Sequence, residues 1–186
     1  MFVDDKEVAA HHYIQTTIEG EKTMTPEPEY RIVLLADRPE HAAGVAERIY
    51  QLWGRLIAAD TGMSASAYTE VIRRRAVTDR VPLTLIALAG DALVGAVSLK
   101  QDEASTAADL SPWIGGLLVD EALRGKGLGR ALLAKAEATA AGLGYSWLYL
   151  SCVPDMQHFY ERQGWVLMQR TLSFGDEVAL MKKGLS

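Results

Sequence analysis

From Tyr30 onward the chain alternates short apolar runs with longer stretches whose apolar positions recur every three or four residues, the pattern of strands separated by helices. Residues 30–36, YRIVLLA, are β-branched and apolar and predict a strand. Pro39 follows, and from there to Ile57 the apolar positions keep helical spacing. Ser64 stands where an N-cap belongs, at the head of SASAYTEVIRRRAV, in which Tyr68, Val71 and Ile72 share a face while Arg73, Arg74 and Arg75 fan around the solvent side. LTLIALAGDALVGAVSLK reads as two strands joined by a tight hairpin at residues 89–91, and SPWIGGLLV as a third strand. A helix is expected over residues 129–141, then a strand in SWLYLSC, a helix in PDMQHFYERQ, and two closing strands in WVLMQRTLSF and EVALMKK. This succession places the chain in the α/β class.

The pattern does not reach the first residues. EGEKTMTPEPE, residues 19–29, mixes charge with proline and holds almost no apolar side chain, the composition of a linker or mobile arm. Two regions are therefore expected: an N-terminal extension over residues 1–29, and one folded domain over residues 30–186. The opening MFVDDKEVAAHHYIQ carries acids where a secretory leader carries cations, and no apolar run approaches the ~20 residues that cross a bilayer. A soluble protein without membrane contact is expected. His11 and His12 have no acid or thiol spaced to complete a metal site, so no metal is expected.

Composition narrows the partner. With 186 residues and 49% hydrophobic side chains the chain can build one sizeable core. A net charge of -5 argues against a nucleic-acid surface, which needs a basic face to offset phosphate, and leaves a small molecule as the expected partner. Cys152 is the single cysteine; it excludes an internal disulfide, fits a reducing cytoplasm, and is expected to be buried filler.

The chemistry concentrates in VDEALRGKGLGRALLAKAEA, residues 119–138, where three glycines and three cations stand between an apolar strand and an alanine-rich helix. A helix start leaves several N–H groups without partners and carries partial positive charge, so a glycine-rich entry suits an anion, phosphate above all. Gly125, Gly127 and Gly129 are expected to permit positive φ and close approach of the main chain, while Arg124, Lys126 and Arg130 add cationic side chains. Spacing excludes two phosphate-binding loops. Lys126 is followed by Gly127 rather than Ser or Thr, so this is not a P-loop; Arg130 and Leu132 stand where the third glycine of a dinucleotide fingerprint belongs.

The pattern R-G-x-G-x-G at residues 124–129 resembles the acetyl-CoA loop of the GNAT superfamily of N-acetyltransferases, and FYERQGW at residues 159–165 resembles the helix and following turn of the same family. The resemblance covers most of the chain after Tyr30. It implies a mixed, mainly antiparallel central sheet flanked by helices, with a β-bulge before the pyrophosphate loop, which Gly115 and Gly116 suit. It further implies acetyl-CoA as cosubstrate. The main chain of Leu117, Leu118 and Val119 would contact pantetheine, and Arg124, Gly125, Lys126, Gly127, Leu128, Gly129 and Arg130 would hold the pyrophosphate.

By the same resemblance Tyr160 lies beside the cofactor sulfur, where a phenol of ordinary pKa ~10 stays protonated at neutral pH and can give a proton to a departing thiolate. Phe159 is expected to pack and His158 to be exposed. The family's asparagine and alanine are replaced by Val153 and Met156, with Asp155 or Gln157 as substitutes for the asparagine. No acid lies in SPWIGGLLV, so Glu103, Asp109 or a water chain is left as the base. Trp113 is expected in the core, with the lining of the acceptor pocket as the alternative, and the resemblance makes Tyr50, Trp53 and Tyr68 candidate walls of that pocket. The expected activity is acetyl transfer to a primary amine of a small molecule or peptide, in a chain that can form a homodimer; the alternative is a non-catalytic acyl-CoA-binding module.

Overall fold

In the computed structural model, residues 29–101 and 109–185 are described. The extension expected over residues 1–29 lies outside them except for Glu29, as do His11, His12 and Glu103. Seven strands form one sheet: β1 (Tyr30–Leu34), β2 (Leu83–Ala89), β3 (Ala92–Lys100), β4 (Trp113–Val119), β5 (Trp147–Cys152), β6 (Val166–Ser173) and β7 (Asp176–Gly184), in the spatial order β1-β2-β3-β4-β5-β7-β6. Every neighbouring pair is antiparallel except β4 and β5. The mixed, mainly antiparallel sheet is thus as expected.

Four α-helices cover the sheet: α1 (Ala42–Thr61), α2 (Ala65–Arg73), α3 (Leu128–Gly142) and α4 (Pro154–Glu161). Their boundaries follow local chemistry. Gly62, at φ 68°, ends α1 in the left-handed region, and the Ser64 side chain caps α2 by accepting the Ala67 N–H at 3.3 Å. Pro154 opens α4, where a missing N–H costs no helical bond.

Two apolar layers hold the sheet from opposite faces. Ile49 of α1 and Tyr68 and Ile72 of α2 pack on Ile86, Ala96 and Leu118. On the other face Leu128, Leu132 and Ala136 of α3 and Tyr160 of α4 pack on Leu85, Val97 and Ile114. Alternate residues of the central strands therefore feed different layers, which is why β2 is buried along nearly its whole length.

Two local readings are corrected. The helix expected from Pro39 begins at Ala42 after two 3₁₀ turns, Leu35–Asp37 and Pro39–His41, and runs on to Thr61. The arginine fan is broken because α2 stops at Arg73: the Arg75 carbonyl accepts the Thr84 N–H at 3.1 Å, and its Nε is buried without a partner. Among the described residues no helix is long and apolar enough to cross a membrane.

Candidate active site

The site begins where two parallel strands part. β4 and β5 are joined at only two positions, Trp113 with Tyr149 and Ile114 with Leu150. On its other side β4 stays paired to β3, but the register slips by one residue between Ser98↔Gly115 and Ala96↔Leu118. Gly116 sits in that slip at φ 61°, a conformation that a side chain resists, so the bulge expected from the paired glycines is present. Among the described residues the edge of β4 facing β5 has no strand partner beyond Ile114, which leaves main-chain groups between Gly115 and Val119 available along the opening, the Val119 carbonyl excepted, since it accepts from Arg124 Nε. Leu117 and Val119 point their side chains toward the α3 layer and Leu118 toward the α1 and α2 layer.

Past Val119 the chain makes one 3₁₀ turn, Glu121–Leu123, and enters the glycine loop. Asp120 accepts from the Arg48 guanidinium of α1, which ties the loop's entrance to the opposite layer. Gly125 and Gly127 take φ of 73° and 86°, and Gly127 caps α3. Among the described residues no carbonyl accepts the N–H groups of Gly125, Lys126, Gly127, Leu128, Gly129 or Arg130; the first helical bond runs from Ala131 N–H to the Gly127 carbonyl at 3.0 Å. The first turn of α3 holds no acid, so adjacent free donors, the helix dipole and the exposed side chains of Lys126 and Arg130 all favour an anion.

Three details depart from the sequence reading. The Arg124 N–H is already bonded to Glu121 O at 3.1 Å and its Nε to Val119 O at 3.3 Å, so its main chain does not join the free donors. Gly129 is helical, without positive φ; a Cβ there would lie 3.7 Å from Val119 Cγ2 and 3.9 Å from Phe159 Cζ, ordinary contact distances, so neither backbone angle nor packing demands glycine, and the position lies where α3 meets Val119 and α4. Leu128 buries its side chain in the core and offers only its amide.

α4 brings Tyr160 to this region through that same contact of Phe159 with the start of α3. Tyr160 is 8% exposed, with its ring held edge-on by Phe159 at 5.0 Å and by Trp165 at 6.2 Å. Among the described residues its hydroxyl bonds to no protein group. Burial holds the phenol well above its ordinary range, and Cys152 nearby adds to the effect. Cys152 itself, at the end of β5, is half-buried, not filler in a closed core; its Sγ lies 3.8 Å from Met181 Sδ, and burial pushes the thiol up to about 11.

Other candidates are placed as follows. Trp113 is fully buried, donates from Nε1 to Leu110 O at 2.6 Å and packs on Tyr149, so it is core. Tyr50 donates to Met63 O at 3.0 Å and packs on Tyr68, and both, with Trp53, belong to the α1 and α2 layer. Val153 and Met156 are exposed at the start of α4, and so is Asp155. Gln157 accepts from Arg170 at 2.8 Å and donates to Glu161 at 2.6 Å. Asp109 is exposed before β4, and His158 is exposed, 3.5 Å from Glu161. Among the described residues no group of three His, Cys, Asp or Glu side chains is placed to hold a metal ion.

Sequence reasoning missed a polar anchor under Tyr160. Glu137 of α3 accepts the Trp165 indole N–H at 3.0 Å and the Lys183 ammonium at 2.7 Å. It missed Lys100 as well, whose Cε fills the space a Cβ on Gly115 would need, so that its stem lies over the bulge. Neither leaves a local signal, because each pairing is made by the sheet.

An open sheet parted between two parallel strands, with a bulged edge and a run of free amides at one mouth, has the shape and donors that suit an extended, anion-tailed ligand. The chain belongs to the acetyltransferase (GNAT) family, whose sequence model matches residues 46–165. Acyl transfer is therefore its class of chemistry. No curated protein sequence matches it significantly. Solved structures share the fold: an acetyltransferase of the GNAT family from Streptococcus pneumoniae has 20% identity and a TM-score of 0.63, over 85% of this chain and all of that one. An aminoglycoside 6'-N-acetyltransferase complexed with coenzyme A has 14% identity and a TM-score of 0.65, over 84% of this chain and 97% of that one. The yncA protein of Salmonella typhimurium with its cofactor acetyl-CoA has 18% identity and a TM-score of 0.62, over 85% and 95%.

Proposed function

We propose that the chain moves an acetyl group from acetyl-CoA to a primary amine of a small molecule or peptide, by direct attack and without a covalent enzyme intermediate. The observation that carries this reading is the unpaired edge of β4 running into the free amides of residues 125–130. The first suits an extended amide-bearing arm and the second a diphosphate. On this reading the main chain of Leu117, Leu118 and Val119 holds pantetheine. The amides from Gly125 to Arg130, with the side chains of Arg124, Lys126 and Arg130, hold the pyrophosphate. A cytoplasmic setting suits the single thiol.

Acetyl-CoA supplies an activated acyl group as a thioester; the chain supplies position and a proton. The neutral amine attacks the carbonyl carbon, a C–N bond forms, and the C–S bond breaks. The surplus proton of the amine leaves to water while Tyr160 gives its proton to the departing sulfur, and the Tyr160 phenolate then takes a proton back from water. Burial keeps the phenol protonated, so its hydroxyl is available to hydrogen-bond the sulfur and hand over its proton as negative charge builds there.

A panel of primary amines incubated with acetyl-CoA, followed by free thiol, is expected to show amine-dependent release; tight binding of acetyl-CoA with no release for any amine would instead mark a non-catalytic binding module. Cys152→Ala is expected to leave turnover nearly intact. With its thiol pushed up to about 11, Cys152 holds little thiolate at neutral pH and is a poor nucleophile. Complete loss of turnover in that variant would replace direct attack with a covalent route.

A further inference from the structure

We propose that Glu137 is a positioning residue that aims Tyr160, an inference that rests on the reading of Tyr160 as the proton donor. Among the described residues the Tyr160 hydroxyl bonds to no protein group, so its direction depends on how the ring is packed. Two rings hold it. Phe159 is set by the backbone of α4 and by the start of α3, against the Cβ position of Gly129. Trp165 lies beyond the end of α4, and a side chain there could swing about its own torsions if packing alone restrained it.

Glu137 removes that freedom. The Trp165 indole is 2% exposed, and its N–H needs a partner inside the fold, which Glu137 Oε1 provides at 3.0 Å. The other carboxylate oxygen takes Lys183 of β7 at 2.7 Å, with both side chains mostly covered, at 15% and 23% exposure. The carboxylate is thereby fixed between a helix and a strand, and the indole is fixed to it. Glu137 also stands on α3, the helix whose start offers the free amides. One rigid element thus carries the cradle at its first turn and the anchor of Tyr160 about two and a half turns on. That arrangement holds the distance from cradle to phenol constant, which a loop could not do.

The test compares Glu137→Ala, Glu137→Gln and Trp165→Phe with Tyr160→Phe alongside. Glu137→Gln keeps an oxygen for the indole and loses only the ion pair. Glu137→Ala is expected to lower kcat about tenfold with KM for acetyl-CoA unchanged, and Glu137→Gln to restore most of the rate. In a Trp165→Phe background, Glu137→Ala should cost nothing further. An activity-free reading accompanies these: the indole N–H resonance identified by its loss in Trp165→Phe, and the Tyr160 ring signals, should move in Glu137→Ala and hold in Glu137→Gln. The proposal is overturned by a kcat per folded molecule that Glu137→Ala leaves unchanged, by equal losses in both backgrounds, or by unmoved Tyr160 signals. If Tyr160→Phe is as fast as the parent protein, the proton-donor reading has failed as well. If Tyr160→Phe is slow and Glu137→Ala is not, only the positioning role has failed.

Discussion

Gly127→Val is expected to lower affinity for coenzyme A by at least about tenfold while the fold stands. Gly127 holds φ at 86°, a left-handed conformation that costs an L-residue about 1–2 kcal/mol and a β-branched one more. At 1.4 kcal/mol per decade, that strain alone is about a factor of ten, because the free loop can relax it and binding must restore it. The added side chain contributes separately. Its chain neighbours apart, no atom of the described residues lies within 4 Å of a Cβ on Gly127, so any clash falls on whatever occupies the space before the free amides. Gly62→Val is the control. Gly62 has φ 68° and equally open surroundings, but it ends α1 away from the loop, so the same strain should lower thermal stability and leave coenzyme A binding unchanged. Titration calorimetry on the two variants, with a melting curve for each, checks both halves. Undiminished affinity in Gly127→Val would take the pyrophosphate away from this loop.

That loop was legible in the sequence because its chemistry is local. Glycines at alternate positions before an amphipathic helix fix backbone conformation without help from distant residues, and Gly115 and Gly116 announced the bulge in the same way. Period, with the turn and cap residues, located the strands and helices, apart from the start of α1 and the end of α2. What the sequence hid was the order of the sheet and every contact the order creates. VLMQRTLS has the apolar character of an interior strand, yet β7 inserts between β5 and β6, and β6 is left at the edge with Val166 58% and Leu172 68% exposed. Arg48 meets Asp120 across 72 positions and Glu137 meets Lys183 across 46, so neither pair has a spacing to read. The Arg75 misreading has the same origin. Its solvent placement followed from helical spacing, whereas the chain leaves the helix at Arg73 and turns its next residues toward β2.

Tyr160→Phe should slow turnover about a hundredfold, near 2.7 kcal/mol of transition-state stabilisation, with affinity for coenzyme A unchanged. The split follows from what the substitution removes. The ring keeps its contacts with Phe159 and Trp165, so the layer under α4 stays packed, and the lost hydroxyl leaves no protein donor or acceptor stranded, since it bonded to none among the described residues. Stability should therefore hold, and a drop in rate reports the proton. The pH profile gives a second check with a definite sign. A general acid works only while protonated, and burial keeps the Tyr160 phenol protonated above the ordinary range near ~10. In the parent protein kcat/KM for the amine should rise with pH as the amine loses its proton, with no descending limb below pH ~10. A fall beginning near pH ~8 would assign the proton to a more acidic group than a buried phenol. Equal rates for Tyr160→Phe and the parent protein would remove Tyr160 from the chemistry, and the leaving sulfur would then take its proton from water at the parted end of β4 and β5.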